Sequence, residues 1–198
     1  GDELYACSIA GVTPSRSITW FQAQLACAAS GKRLPTNAEW QLAALGTPDP
    51  GDSDGSNGSC NTSDVGPRKT WHTEEEPNLC VSRYGVEDAV GNVWEWTDAW
   101  GQYGLPSESF TTNVAVVPWP DGYANNDGGA TGDTVVNVAG QASDGAMHAE
   151  IPAVVIRGGS HHTAPGVGGI AAGVYAFNAN LSPVAWLDYL GFRCARNR

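Results

Sequence analysis

Hydrophobic residues recur at helical spacing only in the first quarter of the chain. Between Ser17 and Gly31 they follow one another at intervals of three and four residues. This periodicity predicts an amphipathic helix, with Ser17 as its N-cap and Gly31 in the left-handed turn that ends it. The apolar positions are Ile18, Phe21, Leu25 and Ala28.

A second helix is predicted to begin after Thr36. Thr36 and Glu39 have the spacing of a capping box, in which the hydroxyl accepts a hydrogen bond from the third amide and the carboxylate accepts one from the cap residue. Trp40 continues the pattern, and Gly46 with Pro48 is expected to end a helix of about ten residues.

After Pro48 the helical periodicity disappears, and short runs of β-branched and aromatic residues are separated by long Gly, Asp and Asn connections. This pattern predicts an α+β fold with two helices near the N-terminus, short antiparallel strands and long irregular loops. In Trp94-Glu95-Trp96 the alternation places both indoles on one face of a strand and the carboxylate on the other. The strand candidates are residues 91–96, 114–117, 135–138, 153–157, 170–177 and 191–194.

Composition narrows the class of protein. The chain has 198 residues, enough for one full-sized core, and its 10 Lys and Arg against 21 Asp and Glu give a net charge of −11. Because the few cations are scattered, we expect neither nucleic-acid binding nor docking to an anionic membrane. No apolar run reaches the roughly 20 residues of a transmembrane helix. The first residues lack the pattern of an export signal, which is expected to lie outside this chain.

Three short segments together carry a resemblance to a known family. They are GKRLPTNAEW at residues 31–40, VGNVWEW at 90–96, and RGGS at 157–160 with GFRC at 191–194. In this order they resemble the formylglycine-generating enzyme, or sulfatase-modifying factor, family, whose fold is an elaborated C-type lectin domain. The resemblance runs from about Ser17 to Arg196 and implies a single domain over residues 1–198.

The resemblance also implies how the five cysteines pair. The family pattern joins Cys27 to Cys194, and Cys60 and Cys80, which bracket a single loop, form the expected second pair. Cys7 is then the odd thiol, expected to be buried or bonded to something outside this chain. Disulfides indicate an oxidising compartment or a thermophile that oxidises internal cysteines. An extracytoplasmic, cell-surface or virion-surface location is therefore expected.

A structural calcium site is a further implication of the resemblance. Its ligands would be an acid at Asp88, the carbonyl groups of Gly91 and Val93, and the carboxylate of Glu95. Calcium prefers carboxylate and carbonyl oxygens, so this set is chemically plausible. The alternative is that Glu95 pairs with a buried arginine or with backbone amides.

The segment between RGGS and GFRC lacks the chemistry of the enzymes. Members that oxidise a substrate cysteine carry two reactive cysteines there that bind copper, whereas residues 161–190 contain no cysteine and so no thiolate ligand. The related sulfoxide synthases hold iron through a histidine triad on a separate helical domain, which the sequence lacks. His161 and His162 are adjacent, would point to opposite faces of a strand, and are interpreted as surface residues. We therefore assign no catalytic residue and expect neither copper nor iron.

Residues 178–193 resemble the variable region of diversity-generating retroelement target proteins, in which a C-type lectin scaffold displays diversified positions. Residues 80–85 extend this resemblance. It implies a variable, ligand-binding region at about 157–193, with a constant frame at 157–160, Pro183 and 191–194. The displayed positions would be His161, His162, Thr163, Tyr175, Asn180, Leu181, Ala185, Trp186, Leu187, Asp188 and Tyr189.

The composition of residues 181–190 supports this interpretation independently. Val184, Trp186, Leu187 and Tyr189 follow neither helix nor strand periodicity, so they cannot all face a core and some must be exposed. Exposed Tyr and Trp supply contact area at a low entropic cost in binding surfaces. The alternative is that Trp186 and Leu187 pack under the loop.

These features predict a non-enzymatic ligand-binding protein with a protein or cell-surface target. An oxidoreductase of the same superfamily with a non-standard site is the main alternative. A calcium-dependent sugar-binding lectin is a third possibility. The letters of a sugar-binding signature occur at Glu76-Pro77-Asn78, but these residues lie in the loop between Cys60 and Cys80.

Overall fold

The computed structural model describes residues 4–48, 60–62, 66–70, 79–102, 135–136, 152–161 and 172–196. Within them, two helices precede a five-stranded sheet. In these ranges no helix has the length and apolar character needed to cross a membrane. The elements are α1 (Trp20–Ala29), α2 (Asn37–Ala44), β1 (Trp94–Gln102), β2 (Val135–Val136), β3 (Pro152–Gly158), β4 (Gly173–Leu181) and β5 (Leu190–Phe192).

The sheet has the strand order β2-β4-β3-β1-β5 and is mixed. β3 lies antiparallel to both β1 and β4, whereas β5 runs parallel to β1 and β2 parallel to β4. The expectation of antiparallel strands is therefore wrong for two of the four pairings. Residue patterns reveal where a strand lies but not its direction, which depends on the long connections. The candidate at 114–117 lies outside the described residues.

α1 begins later than the sequence suggests. Its N-cap is Thr19, whose hydroxyl accepts from the amide of Gln22 while the Gln22 side chain accepts from the amide of Thr19. Ser17 instead has a positive φ of 55°, so the prediction that it caps the helix is wrong. Gly31 takes the expected left-handed conformation after the last turn, with a φ of 68°.

The buried face of α1 is formed by small side chains rather than large ones. Ala23, Ala26 and Cys27 are fully buried, whereas Phe21 and Leu25 are 48% and 66% exposed. Cys27 forms a disulfide bond with Cys194, which confirms the pairing implied by the family. Because this bond draws its own side of the helix onto the core, the larger apolar residues point outward.

α2 follows the capping box that the sequence predicts. Thr36 accepts from the amide of Glu39, and the Glu39 carboxylate accepts from the amide of Thr36. Arg33 adds two hydrogen bonds of 2.6 Å to the same carboxylate. The bonds from Arg33, then the one from the Thr36 amide, lower the pKa of Glu39 to about 2. The helix ends at Ala44 and positions Trp40, which is buried.

Two hydrophobic clusters make up the described core. The Trp96 cluster contains two of the three indoles of β1, those of Trp94 and Trp96. The Glu95 carboxylate lies in the opposite direction and contacts Trp40, as the alternation predicts. The Trp96 cluster comprises Ile18, Ala23, Cys27, Leu34, Trp94, Trp96, Val154, Ile156, Ala176 and Leu190. The Trp40 cluster comprises Trp40, Ala44, Cys60, Cys80, Ala89, Val90, Ala172 and Val174, and its Cys60–Cys80 disulfide confirms the second predicted pair.

Glycines bring the VGNVWEW and RGGS motifs into backbone contact. The amide of Gly91 donates to the carbonyl of Gly158 at 2.9 Å, and both residues have positive φ. A Cβ on Gly91 would lie 2.4 Å from the carbonyl oxygen of Asn61, and one on Gly158 would lie 2.5 Å from that of Ala89. Only glycine fits both positions, since a side chain at Gly91 would clash with Asn61 and one at Gly158 with Ala89.

Candidate ligand-binding surface

Residues 183–189, which we call the display segment, connect β4 to β5. Their side chains alternate between solvent and core. Val184 and Trp186 are 60% and 69% exposed, and Asp188 is also exposed. The intervening side chains are half-buried and pack against the Trp96 cluster; they are Ala185, Leu187 and Tyr189. The segment thus has one face for the core and one for a partner.

The display segment is tied to the body of the protein through its own carbonyl groups. Four of its seven backbone carbonyl groups accept hydrogen bonds from α1, from the residues just before α1, and from β1. These bonds hold the segment in one conformation before any ligand binds. The amide of Trp20 donates to the carbonyl of Pro183 at 3.0 Å, and the amide of Ser17 donates to that of Leu187 at 3.1 Å. Arg16 Nη1 donates to the carbonyl of Asp188 at 3.0 Å, and the amide of Trp94 donates to that of Tyr189 at 2.8 Å.

Two further aromatic residues with partly exposed rings pack against Trp20. Trp20, whose amide holds the start of the segment, contacts Phe21 and Trp100 with ring centroids 5.4 and 4.7 Å apart. Phe21 is 48% and Trp100 40% exposed. The sequence interpretation missed these residues. The available signal was that α1 carries no charged residue although one of its faces meets solvent.

The structure separates two other predicted surface residues from the display segment. His161 is 3% exposed, and its Nδ1 lies 2.6 Å from the carbonyl oxygen of Asn92. The interpretation of His161 as a surface histidine is therefore wrong. The chain after β3 packs against the turn that precedes β1, where the amide of His161 donates to the carbonyl of Asn92. Tyr175 is half-buried against the Trp40 cluster, whereas the display segment packs against the Trp96 cluster.

The remaining predicted positions lie in or near β4. Leu181 is half-buried at the end of β4 and packs against the Trp96 cluster. Asn180 lies within β4. His162 and Thr163 fall outside the described residues. Two of the predicted variable positions, Trp186 and Asp188, lie on the outward face of the display segment. Three others, Ala185, Leu187 and Tyr189, face the core instead, and Val184 is an outward residue that the prediction did not include.

The Tyr189 ring of the display segment is partly buried beside Asp188. Partial burial of its ring, and then the neighbouring charge of Asp188, raise the pKa of the Tyr189 phenol. The phenol therefore stays neutral at physiological pH, while Asp188 supplies a carboxylate on the outward face.

Two of the residues implied as calcium ligands, Glu95 and Asp88, contact an arginine. Arg193 donates from Nε and Nη2 to both carboxylate oxygens of Glu95, and Trp40 Nε1 donates to Oε2 at 2.6 Å. Glu95 is 4% exposed. Both carboxylate oxygens of Glu95 thus accept hydrogen bonds from side-chain donors. The geometry favours the arginine alternative, and calcium binding with Asp88, Gly91 and Val93 stays a prediction.

Arg193 keeps its charge in this setting. Burial alone would lower the pKa of the guanidinium, but the charge and hydrogen bonds of Glu95, with a smaller effect from Asp88, raise it.

Four of the five cysteines are consumed in disulfides, at Cys27–Cys194 and Cys60–Cys80. Cys7 is a free thiol and is exposed, so the expectation that it is buried or bonded elsewhere is wrong as regards burial. Among the described residues, no group of three His, Cys, Asp or Glu side chains is placed to hold a metal. The chain consequently has no pair of thiols for thiolate coordination of copper.

Comparison with known proteins gives similarities of sequence and of fold. The serine/threonine-protein kinase pkn1 of Chlamydia caviae is 32% identical over 96 residues, which are 46% of this chain and 14% of the kinase. The inactive C-alpha-formylglycine-generating enzyme 2 of Bos taurus is 28% identical over 141 residues, 57% of this chain and 42% of that protein. The chain thus spans less than half the length of these relatives.

Among solved structures, the Major Tropism Determinant U1 Variant superposes with a TM-score of 0.55 at 20% identity, over 96% of this chain and 44% of that one. This similarity confirms the C-type lectin-like fold expected from the sequence motifs. The profile of the sulfatase-modifying factor enzyme 1-like domain matches residues 6–198. The chain therefore belongs to the sulfatase-modifying factor, or formylglycine-generating enzyme, domain family.

Proposed function

We propose that this chain is a non-enzymatic ligand-binding protein that presents a variable surface on its lectin-like scaffold, as the variable proteins of diversity-generating retroelements do. Its target would be a protein or another component of a cell surface. The observation that carries the proposal is the display segment, with Val184, Trp186 and Asp188 outward on a backbone fixed by four hydrogen bonds.

The chemistry of the outward face suits protein recognition. A tryptophan exposed over two thirds of its surface is costly in water, and tryptophan is among the residues most often found as binding anchors. The backbone bonds keep the entropic cost of ordering the segment low. Asp188 adds a charged group to the outward face that can give specificity.

Two observations support a role without catalysis. The disulfides leave Cys7 as the single free thiol, so a pair of reactive cysteines cannot form in this chain. The names of the relatives point both ways, since one is called a kinase and another inactive. The fold shared with the tropism determinants agrees with a scaffold used for recognition. The two disulfides support a location outside the cytoplasm.

Two matched libraries test the proposal. One randomises the outward residues Val184, Trp186 and Asp188, and the other randomises the inward residues Ala185, Leu187 and Tyr189. Both are displayed on yeast, sorted for folded protein, and then selected against hen lysozyme as an arbitrary target. We expect most outward variants to fold and some to bind lysozyme, and most inward variants to be lost at the folding step.

The library result has clear contrary outcomes. Equal survival of both libraries would show that the inward face is not part of the core. Failure of the outward library to yield any binder, when a parallel antibody library yields them, would show that this surface does not support recognition.

The diversification itself is tested at the level of genes. Closely related copies of the gene should differ mainly at codons for the outward positions, next to a template repeat rich in AAC and a reverse transcriptase gene. Copies that are identical over residues 183–189, with no such neighbour, would remove variability from the proposal and leave a binding protein of fixed specificity.

A further inference from the structure

One cationic side chain contacts the display segment from outside the predicted variable region. We propose that Arg16 is a fixed contact residue of the binding surface, and that it binds a carboxylate on the protein that this surface recognises. This inference rests on the proposed function and adds to it the chemistry of the partner.

The Arg16 guanidinium is held against the backbone of the display segment. Its Nη1 donates to the carbonyl oxygen of Asp188 at 3.0 Å. The amide of the next residue, Ser17, donates to the carbonyl oxygens of Leu187 and Leu190, both at 3.1 Å. Because these bonds go to backbone carbonyls, they do not depend on which side chains the variable positions carry. Arg16 therefore keeps its place on the surface when those positions change.

Most donors of the Arg16 guanidinium remain available to a partner. A guanidinium has several N–H groups, and within the described ranges the bond to Asp188 is the one hydrogen bond that this guanidinium makes. Arg16 is exposed, and its bond goes to the backbone of Asp188 rather than to the carboxylate. In the same ranges neither side chain forms an ion pair. A planar donor that is fixed at one nitrogen suits a carboxylate, which can accept two parallel N–H bonds.

The charges around Arg16 favour a single carboxylate over an extended polyanion. Arg16 is the only charged residue between positions 4 and 31, so no cation in that stretch adds to it. The chain as a whole carries a net charge of −11. Nucleic acids and anionic membranes would be repelled by that net charge, and they are bound through several cations together. One carboxylate on a protein surface needs only one cation opposite it.

The outward face of the display segment supplies the other features of the partner. Val184 and Trp186 are exposed apolar side chains that can bury apolar area on the target. Tryptophan and arginine are both enriched among the residues that dominate binding energies. Asp188 presents a carboxylate that can accept from a donor on the target. The expected epitope thus combines an apolar group with a carboxylate opposite Arg16 and a hydrogen-bond donor opposite Asp188.

The test builds the outward library twice, on wild-type Arg16 and on Arg16→Gln, and selects both against two forms of one target. Hen lysozyme is a basic protein, and succinylation converts its lysines to carboxylates. On succinylated lysozyme we expect the best Arg16 binders to have a Kd roughly tenfold lower than the best Arg16→Gln binders, because the latter lack a charge-assisted hydrogen bond. On native lysozyme the two libraries should differ by less than about threefold.

Substitutions in the tightest binder of succinylated lysozyme give a second readout. Arg16→Gln should raise its Kd by roughly tenfold and weaken the dependence of Kd on salt, with little change in Tm because Arg16 is exposed. Arg16→Lys should retain part of the affinity, since it keeps the charge without the planar fork. Lys32→Gln is the matched control: it removes the same charge beyond the other end of α1 and should change Kd by less than about twofold.

The inference is overturned if both libraries give equal affinities for succinylated lysozyme. It is also overturned if Arg16→Gln weakens binding to the two forms of lysozyme alike, since Arg16 would then only position the display segment. Binding of wild type to DNA or to phosphatidylserine vesicles that Arg16→Gln abolishes would assign Arg16 to a polyanion instead. If neither library yields binders to either form, the proposed function fails as well, whereas binders that do not need Arg16 leave the proposed function intact.

Discussion

β1 and the display segment both contain tryptophan, and the side chains of both alternate between two directions. They differ in how deeply the tryptophan is buried. In β1, Trp96 is fully buried and Glu95, facing the other way, is buried as well. In the display segment, Leu187 packs against the core while Trp186 is 69% exposed. The same alternation produces a two-sided core element in one place and a one-sided surface in the other.

The difference lies in what covers the second face. The face of β1 that carries Glu95 is covered by Trp40 of α2 and by Arg193, so even its carboxylate is enclosed. In the described structure no comparable layer lies over Trp186. A tryptophan therefore stabilises the fold or awaits a partner according to its surroundings, and neither its type nor its spacing decides which.

The largest expected effect is on the buried side of this comparison. Trp96→Ala should lower the free energy of unfolding by about 3–5 kcal/mol, because it opens a cavity in the Trp96 cluster. It also removes the hydrogen bond from its indole to the carbonyl of Ile18. Urea unfolding followed by circular dichroism measures the change. A loss below 1 kcal/mol would show that β1 is not the centre of the core.

An intermediate effect separates the two faces of the display segment. Leu187→Ala should cost about 1–3 kcal/mol, less than a fully buried leucine, since its side chain is half-buried. Trp186→Ala, one position away, should change stability by less than about 0.5 kcal/mol while removing the main outward contact. Equal losses for the two variants would contradict the alternation.

The smallest effect concerns the partly exposed ion pair that caps α2. The pKa of Glu39 is lowered to about 2 from an ordinary 4.5, so its stabilisation is present above pH 4.5 and is lost as the pH falls towards 2. Solvent screening limits this contribution to about 0–1 kcal/mol. The difference in the free energy of unfolding between wild type and Glu39→Gln should therefore shrink in that pH window. A difference that is constant from pH 6 to pH 2 would show that the carboxylate charge is not responsible.

Helix ends could be predicted from the sequence where contacts between a few neighbouring residues determine them. The box of Thr36 and Glu39 lies within four residues, and it specified the start of α2 correctly. The motif segments likewise specified the family and the Cys27–Cys194 bond. For α1 the apolar spacing was real but indicated the wrong face, because the disulfide and the small residues Ala23 and Ala26 decide which side is buried.

The candidate surface was only half predictable. Sequence reasoning predicted a displayed segment before β5 and inferred that some of its apolar residues must be exposed, which is the case for Val184 and Trp186. It could not tell Trp186 from Leu187, since that distinction arises from carbonyl bonds to Ser17 and Trp20, far away in the chain. It also placed His161 on the surface, whereas His161 is buried and its Nδ1 lies 2.6 Å from the carbonyl oxygen of Asn92.

The family, part of the helix-cap chemistry and both disulfide pairings could be predicted from the order of the residues alone. Strand direction, the outward face of the display segment and the partner of Glu95 became known only from the folded chain. The reason is physical: caps and motifs depend on contacts between near neighbours, whereas burial and ion pairing depend on which distant residue supplies the covering layer or the opposite charge.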